Sequence, residues 1–137
     1  MKEGFTIIDT LSIPSDFEAV SQVEMLVDRV CNQLGVNEDF YGNVLIAVTE
    51  AVNNAIEHGN GKVVTTEVKV AVGDNPSEFC FNVKDQGRGF DFDHLPDPTA
   101  PENILKENGR GIFLMKNLAD EVVYEDAGTS VNIYFTK

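Results

Sequence analysis

Basic residues are scarce in this chain of 137 residues: ten Lys and Arg stand against 23 Asp and Glu, a formal net charge of -13. A surface of that sign repels nucleic acid and favours a basic protein partner, although it also serves plain solubility. A polyanionic ligand would need a local positive site. Backbone N–H groups at helix N-termini and Mg²⁺ supply one without many basic side chains. No apolar run is long enough to span a bilayer. Met1–Gly4 opens into Phe5–Ile8, too short for the apolar region of a signal peptide, so a cytoplasmic protein without membrane attachment is expected. Cysteine is limited to Cys31 and Cys80. Both lie in apolar stretches and read as small core residues, with no disulfide, metal site or nucleophile expected. There is no Gly-x-x-x-x-Gly-Lys-Ser/Thr loop, which excludes a P-loop nucleotide site. Repeats, low-complexity tracts and interdomain linkers are also missing, so residues 1–137 are read as one domain.

What the chain does have is an apolar fraction and nine Phe that fit a globular core. Phe5 to Ile13 is β-branched and loosely alternating, an edge or lead-in strand ended by Pro14. Ser15-Asp16 signals a helix start, and Ala19, Val23, Leu26, Val27, Val30 and Leu34 carry the helix to about Gly35. Asn37 caps a second helix, with Glu38 and Asp39 in its first turn. That helix is expected to run to about His58, stopped by Gly59. Val44, Val48, Ala51 and Ala55 form its apolar face, while Glu50, Asn54 and His58 follow at i, i+4 and i+8 as one polar stripe. A surface stripe is the ordinary explanation. Yet Asn53 and Asn54 are poor mid-helix residues, because their amides compete for backbone hydrogen bonds. Strands are expected over Val63 to Val72 and Glu78 to Lys84 around a turn at Gly73–Pro76, then over Glu121 to Tyr124 and Val131 to Phe135 around Asp126–Thr129. Between the two hairpins, 91–108 is polar and Pro-rich, the mark of a functional loop or lid. Gly109-Arg110-Gly111 then opens a helix. Hairpins against several helices imply an α+β fold: a two-layer sandwich of a mixed, mostly antiparallel sheet with helices on one face.

Two glycine-rich stretches complete the pattern. Asp85-x-Gly87-x-Gly89 after a strand is, alone, equally a tight turn. Gly109-x-Gly111 before a helix is, alone, equally a loop-to-helix joint. The ordered set is more specific: Glu50-x-x-x-Asn54 on a helix, Asp85-x-Gly87-x-Gly89, the variable segment, Gly109-x-Gly111, and Gly128-Thr129-x-Val131. In order and spacing this set resembles the GHKL ATPase superfamily, whose domain has the Bergerat fold. Ala51–Gly59, and Phe90-Asp91-Phe92 leading through Pro96-Asp97-Pro98 into Gly109–Met115, are similar to the stand-alone serine/threonine kinases that act as bacterial anti-sigma factors.

The resemblance implies roles. Asn54 would ligate Mg²⁺ through its amide oxygen, and Glu50 would take the proton from an attacking hydroxyl. Asp85 would accept from the adenine amino group of ATP, with Thr129 nearby. Gly87 and Gly89 would let the backbone approach the nucleotide, and Gly109, Arg110 and Gly111 would cradle phosphates. The partner implied is an antagonist protein of the STAS fold carrying the acceptor hydroxyl, with a sigma factor as a second partner. Homodimers occur in the family, but this chain carries no dimer signature of its own. His58, Arg88 and Lys106 keep both readings, nucleotide contact and ordinary surface. The first helix has no basic residue before Arg29, and Glu18 and Glu24 make its exposed face acidic, a departure that touches partner binding more than the ATP site. An ATP-gated binding module without phosphotransfer is the rival reading. A hydrolysis-driven clamp would need a transducer domain that the sequence does not contain.

Overall fold

The computed structural model describes residues 1–87 and 115–137. The chain begins with β1 (Thr6–Pro14) and continues through a short 3-10 turn into α1 (Val20–Leu34) and α2 (Glu38–Asn54). The hairpin β2 (Glu67–Asp74) and β3 (Glu78–Lys84) follows, then helical backbone at 115–118 and the hairpin β4 (Glu121–Glu125) and β5 (Ser130–Thr136). The strands form one 5-stranded sheet in the order β1-β2-β3-β5-β4. Every pairing among the described residues is antiparallel.

Local chemistry sets the element ends. Asp16 accepts from the Glu18 N–H at 3.0 Å and caps the turn that leads into α1. Gly35 ends α1 at φ 67, a left-handed cap that glycine adopts without a Cβ penalty. Asn37 accepts from the Asp39 N–H at 2.9 Å and starts α2. In the β2–β3 turn the Asn75 side chain accepts from the Ser77 and Glu78 N–H groups, which fixes the hairpin register.

Alternation along the strands sends Val68, Val70, Val72, Phe79, Phe81, Val83, Val131 and Ile133 to one face, where α1 and α2 cover them. Val23, Leu26, Val27 and Val30 of α1 and Val44, Ala47, Val48 and Ala51 of α2 complete this core. Each fully buried Val or Leu stabilises by roughly 1.5–3 kcal/mol before entropy is counted. The α+β sandwich with helices on one face is therefore the observed architecture. Cys31 lies in this core, and Cys80 is buried on the opposite face of β3. Burial pushes their thiols up to about 11 and about 12, so both are inert at neutral pH. Among the described residues no helix is long and apolar enough to cross a membrane.

The opposite face of the sheet carries the N-terminal residues. The Phe5 ring lies 5.5 Å from that of Tyr134, and the Lys2 N–H donates to the Tyr134 hydroxyl at 2.8 Å. The Lys2 ammonium pairs with Glu121. Gly73 leaves room for the Met1 sulfur, since a Cβ there would meet it at 2.1 Å.

Two expected boundaries are corrected. The strand expected from Val63 begins instead at Glu67, because the Thr66 N–H turns back to the Val63 carbonyl and leaves Val63 and Val64 exposed. The regular helix expected to His58 is α-helical only to Asn54; Ala55–Gly59 forms a π turn. The anticipated lid at 91–108, together with Arg88, Gly89, Lys106, Gly109, Arg110 and Gly111, lies outside the described residues.

Candidate nucleotide site

The site is built where the end of α2 meets the end of β3. Asn54 is the last α-helical residue, and the π turn after it changes the periodicity. Its wider turns change the angular step between the side chains that follow Asn54. His58 is exposed, with its Nε2 3.8 Å from a carboxylate oxygen of Glu57. Glu50 and Asn54 stay one helical turn apart, both half-buried. Glu50 has no hydrogen-bond or ionic partner among the described residues.

The π turn delivers Gly59 against Asp85. A Cβ on Gly59 would lie 2.4 Å from the Asp85 carboxylate carbon. A Cβ on Gly87 would lie 1.9 Å from the Gly59 carbonyl oxygen. Both glycines are thus required for close backbone approach, and neither serves as a left-handed turn. The Gly59 reading as a helix stop is corrected on this point: the helix ends there, but glycine is needed for contact.

Asp85 is held at both ends. Its N–H donates to the Thr129 carbonyl at 2.8 Å, and its Oδ1 accepts from the Gly87 N–H at 2.8 Å. The Thr129 hydroxyl donates to the Asp126 carbonyl at 2.8 Å. Asp85, Gly87 and Thr129 are therefore brought together as the sequence expects. Burial raises the Asp85 carboxyl above the ordinary carboxylate value, and the Gly87 N–H opposes this in part. The result is a fixed, half-desolvated acceptor suited to a neutral amino group.

Asn60 organises this corner, and sequence reasoning gave it no role. It is buried, and its Oδ1 accepts from the Gln86 N–H at 2.7 Å. Its Nδ2 donates to the Ser15 hydroxyl at 2.9 Å and to the Glu67 carbonyl at 3.0 Å. Gln86 returns a bond, its Oε1 accepting from the Glu67 N–H at 2.8 Å. One amide thus ties the end of the π turn to Ser15 just after β1, to the start of β2 and to the turn after β3. An Asn directly after the glycine that ends a helix was the available signal.

The residues present fit a hard cation and an adenine ring. The Asn54 side-chain nitrogen is buried and has no hydrogen-bond partner among the described residues. A half-turn of a carboxamide exchanges its nitrogen and oxygen, so the same place can present an amide oxygen, the ligand type Mg²⁺ prefers.

A family model described as a histidine kinase-like ATPase domain matches residues 13–135. The chain belongs to that family. Within it, the chain is similar to the serine-protein kinase RsbW of Staphylococcus epidermidis, 31% identical over 133 residues, covering 90% of this chain and 82% of the relative. It is also similar to the serine-protein kinase RsbW of Bacillus velezensis, 34% identical over 128 residues, covering 88% and 80%. Among solved structures it matches the RsbU and RsbW domains of a Mycobacterium tuberculosis protein with a TM-score of 0.63 at 16% identity. That match covers 94% of this chain and 32% of the other, so this chain spans about a third of that one; the likeness shows the fold.

Proposed function

We propose that this chain is a single-domain, ATP-dependent protein serine/threonine kinase of the anti-sigma type, acting in the cytoplasm on a small antagonist protein of the STAS fold. The observation that carries the reading is Glu50, a half-buried carboxylate without a partner among the described residues, one helical turn before Asn54. A site that only held nucleotide would have no use for a base beside its metal ligand.

Asp85 accepts from the adenine amino group, with Gly87 and Gly89 allowing close approach and Thr129 fixing the Asp85 backbone. Gly109, Arg110 and Gly111 cradle the phosphates. Asn54 holds Mg²⁺, which when bound neutralises phosphate charge and leaves positioning as the main task of the protein. Glu50 takes the proton of the acceptor serine or threonine. The hydroxyl oxygen then bonds to the γ-phosphorus, the bond to the β-phosphate oxygen breaks, and ADP leaves. When the antagonist is already phosphorylated, the kinase is free to sequester a sigma factor.

The test is incubation with labelled ATP and a purified STAS-fold protein that carries a serine. Labelled phosphoprotein supports the kinase. Nucleotide binding with no product favours the ATP-gated binding module, and free phosphate alone favours hydrolysis.

A further inference from the structure

A cavity of about 560 Å³ lies at the opposite end of α2 from the candidate nucleotide site. Leu34, Val36, Phe40, Val44, Phe79 and Phe135 give it apolar walls. Its floor is rigid, because the Phe79 and Phe135 rings stack with centroids 5.2 Å apart inside the core. Its mouth is open, because Phe40 is 60% exposed. From Phe40 to Asn54 the rise of an α-helix is roughly 21 Å, so the two sites are separate.

The charge around the mouth is predominantly negative. Asp120 lines it, and Glu38 and Asp39 stand exposed in the same turn of α2 as Phe40. Lys137 also lines it, but its ammonium is held by Asp74. Among the described residues no basic side chain pairs with Glu38, Asp39 or Asp120.

We infer that this cavity docks an apolar side chain carried on a basic segment of a protein partner. Asp120 accepts from the Thr136 N–H at 2.7 Å and keeps its negative charge, and an apolar pocket with carboxylates at and beside its mouth suits such an anchor, with the walls supplying affinity and the charge selecting sign. The chain itself is a poor occupant. A second copy brings a net charge of -13. The segment 91–108 brings Asp91, Asp93, Asp97, Glu102 and Glu107 against Lys106. The inference does not depend on phosphotransfer.

The test titrates the isotope-labelled full chain, followed by NMR, with two short amphipathic helical peptides of identical Leu and Phe face, one with Lys and one with Glu on the polar face. The expected result is saturable shifts from the Lys peptide at residues 34–44, at Phe79 and at 118–120 and 135–137, with none from the Glu peptide. Phe40→Ser, at an exposed position whose spectrum reports folding directly, should weaken Kd by about tenfold. Glu38→Lys with Asp39→Lys should do likewise. Shifts scattered over the acidic surface, equal binding of both peptides, or Kd unchanged in the variants would overturn the inference. Shifts that grow with protein concentration alone would assign the cavity to a second copy instead.

Discussion

Gly59 and Asp85 touch so closely that the first carbon of any side chain on Gly59 would lie 2.4 Å from the Asp85 carboxylate carbon. The end of the π turn therefore packs directly on the Asp85 carboxylate just after β3. Gly59→Ala must displace either the π turn or the carboxylate, and overpacking of this kind costs about 1–3 kcal/mol. Urea unfolding should show that loss, and calorimetry should show weaker ATP binding. Gly42→Ala is the control: nothing lies within 4 Å of the added carbon, and in a helix interior the change should stabilise by roughly 1 kcal/mol.

If Asp85 receives adenine as proposed, it sets nucleotide binding against stability. Burial raises its folded pKa above the ordinary 3.8, so the folded state keeps a proton over a range where the unfolded chain has lost it. Its contribution to stability is greatest below 3.8 and falls as pH rises through the raised value; above that, the charged form is a standing cost. Asp85→Asn should stabilise the nucleotide-free protein at neutral pH and flatten the acid end of its stability profile. The same change should weaken ATP binding and narrow the preference for ATP over GTP. Equal affinity of the unmutated protein for both nucleotides would remove the adenine assignment.

Asn60→Ala removes bonds to Ser15, Glu67 and Gln86 together. Leaving a buried donor or acceptor unpaired costs about 1–3 kcal/mol. A loss of that order is expected in chemical denaturation. Hydrogen exchange should localise the loosening to the Gln86 and Glu67 amides rather than to the α1 core.

Glu50→Gln keeps the helix and removes the carboxylate proposed as the base. ATP should still bind, while single-turnover transfer to the partner falls by about 10²–10⁴. Asn54→Ala should lose Mg²⁺-dependent binding as well as transfer. Transfer at the unmutated rate by Glu50→Gln would remove Glu50 as the base and leave this stretch of α2 a metal-binding helix only.

Elements with local causes were legible in the sequence. Asn37 and Gly35 announced the ends of their helices, and Asn75 the hairpin turn, because each acts through neighbours a few residues away. The family was legible from the ordered set Glu50-x-x-x-Asn54, Asp85-x-Gly87-x-Gly89, Gly109-x-Gly111 and Gly128-Thr129-x-Val131. What escaped depends on contacts distant in sequence. The π turn at Ala55–Gly59 has no local signature, and its reason is Asp85, which comes after β2 and β3. Asn60 looks like an ordinary turn residue until Ser15, Glu67 and Gln86 are placed around it. The strand pattern at Val63 and Val64 was sound alternation, overridden by a turn that pins Thr66 to Ser15.

The position of β5 in the sheet also governs when the protein can come into being during synthesis. It follows the other strands in sequence but lies between β3 and β4. While the ribosome is still producing it, β3 has an open edge and β4 has no neighbour. The Asp85 N–H also lacks the Thr129 carbonyl that anchors it. Folding units generally form as their last segment emerges, and pairings across long sequence separations form slowly. A ribosome-bound chain halted before Thr129 should therefore expose the edge of β3 to holdase chaperones and bind no nucleotide, so that assembly of the sheet and competence for ATP arrive in one event.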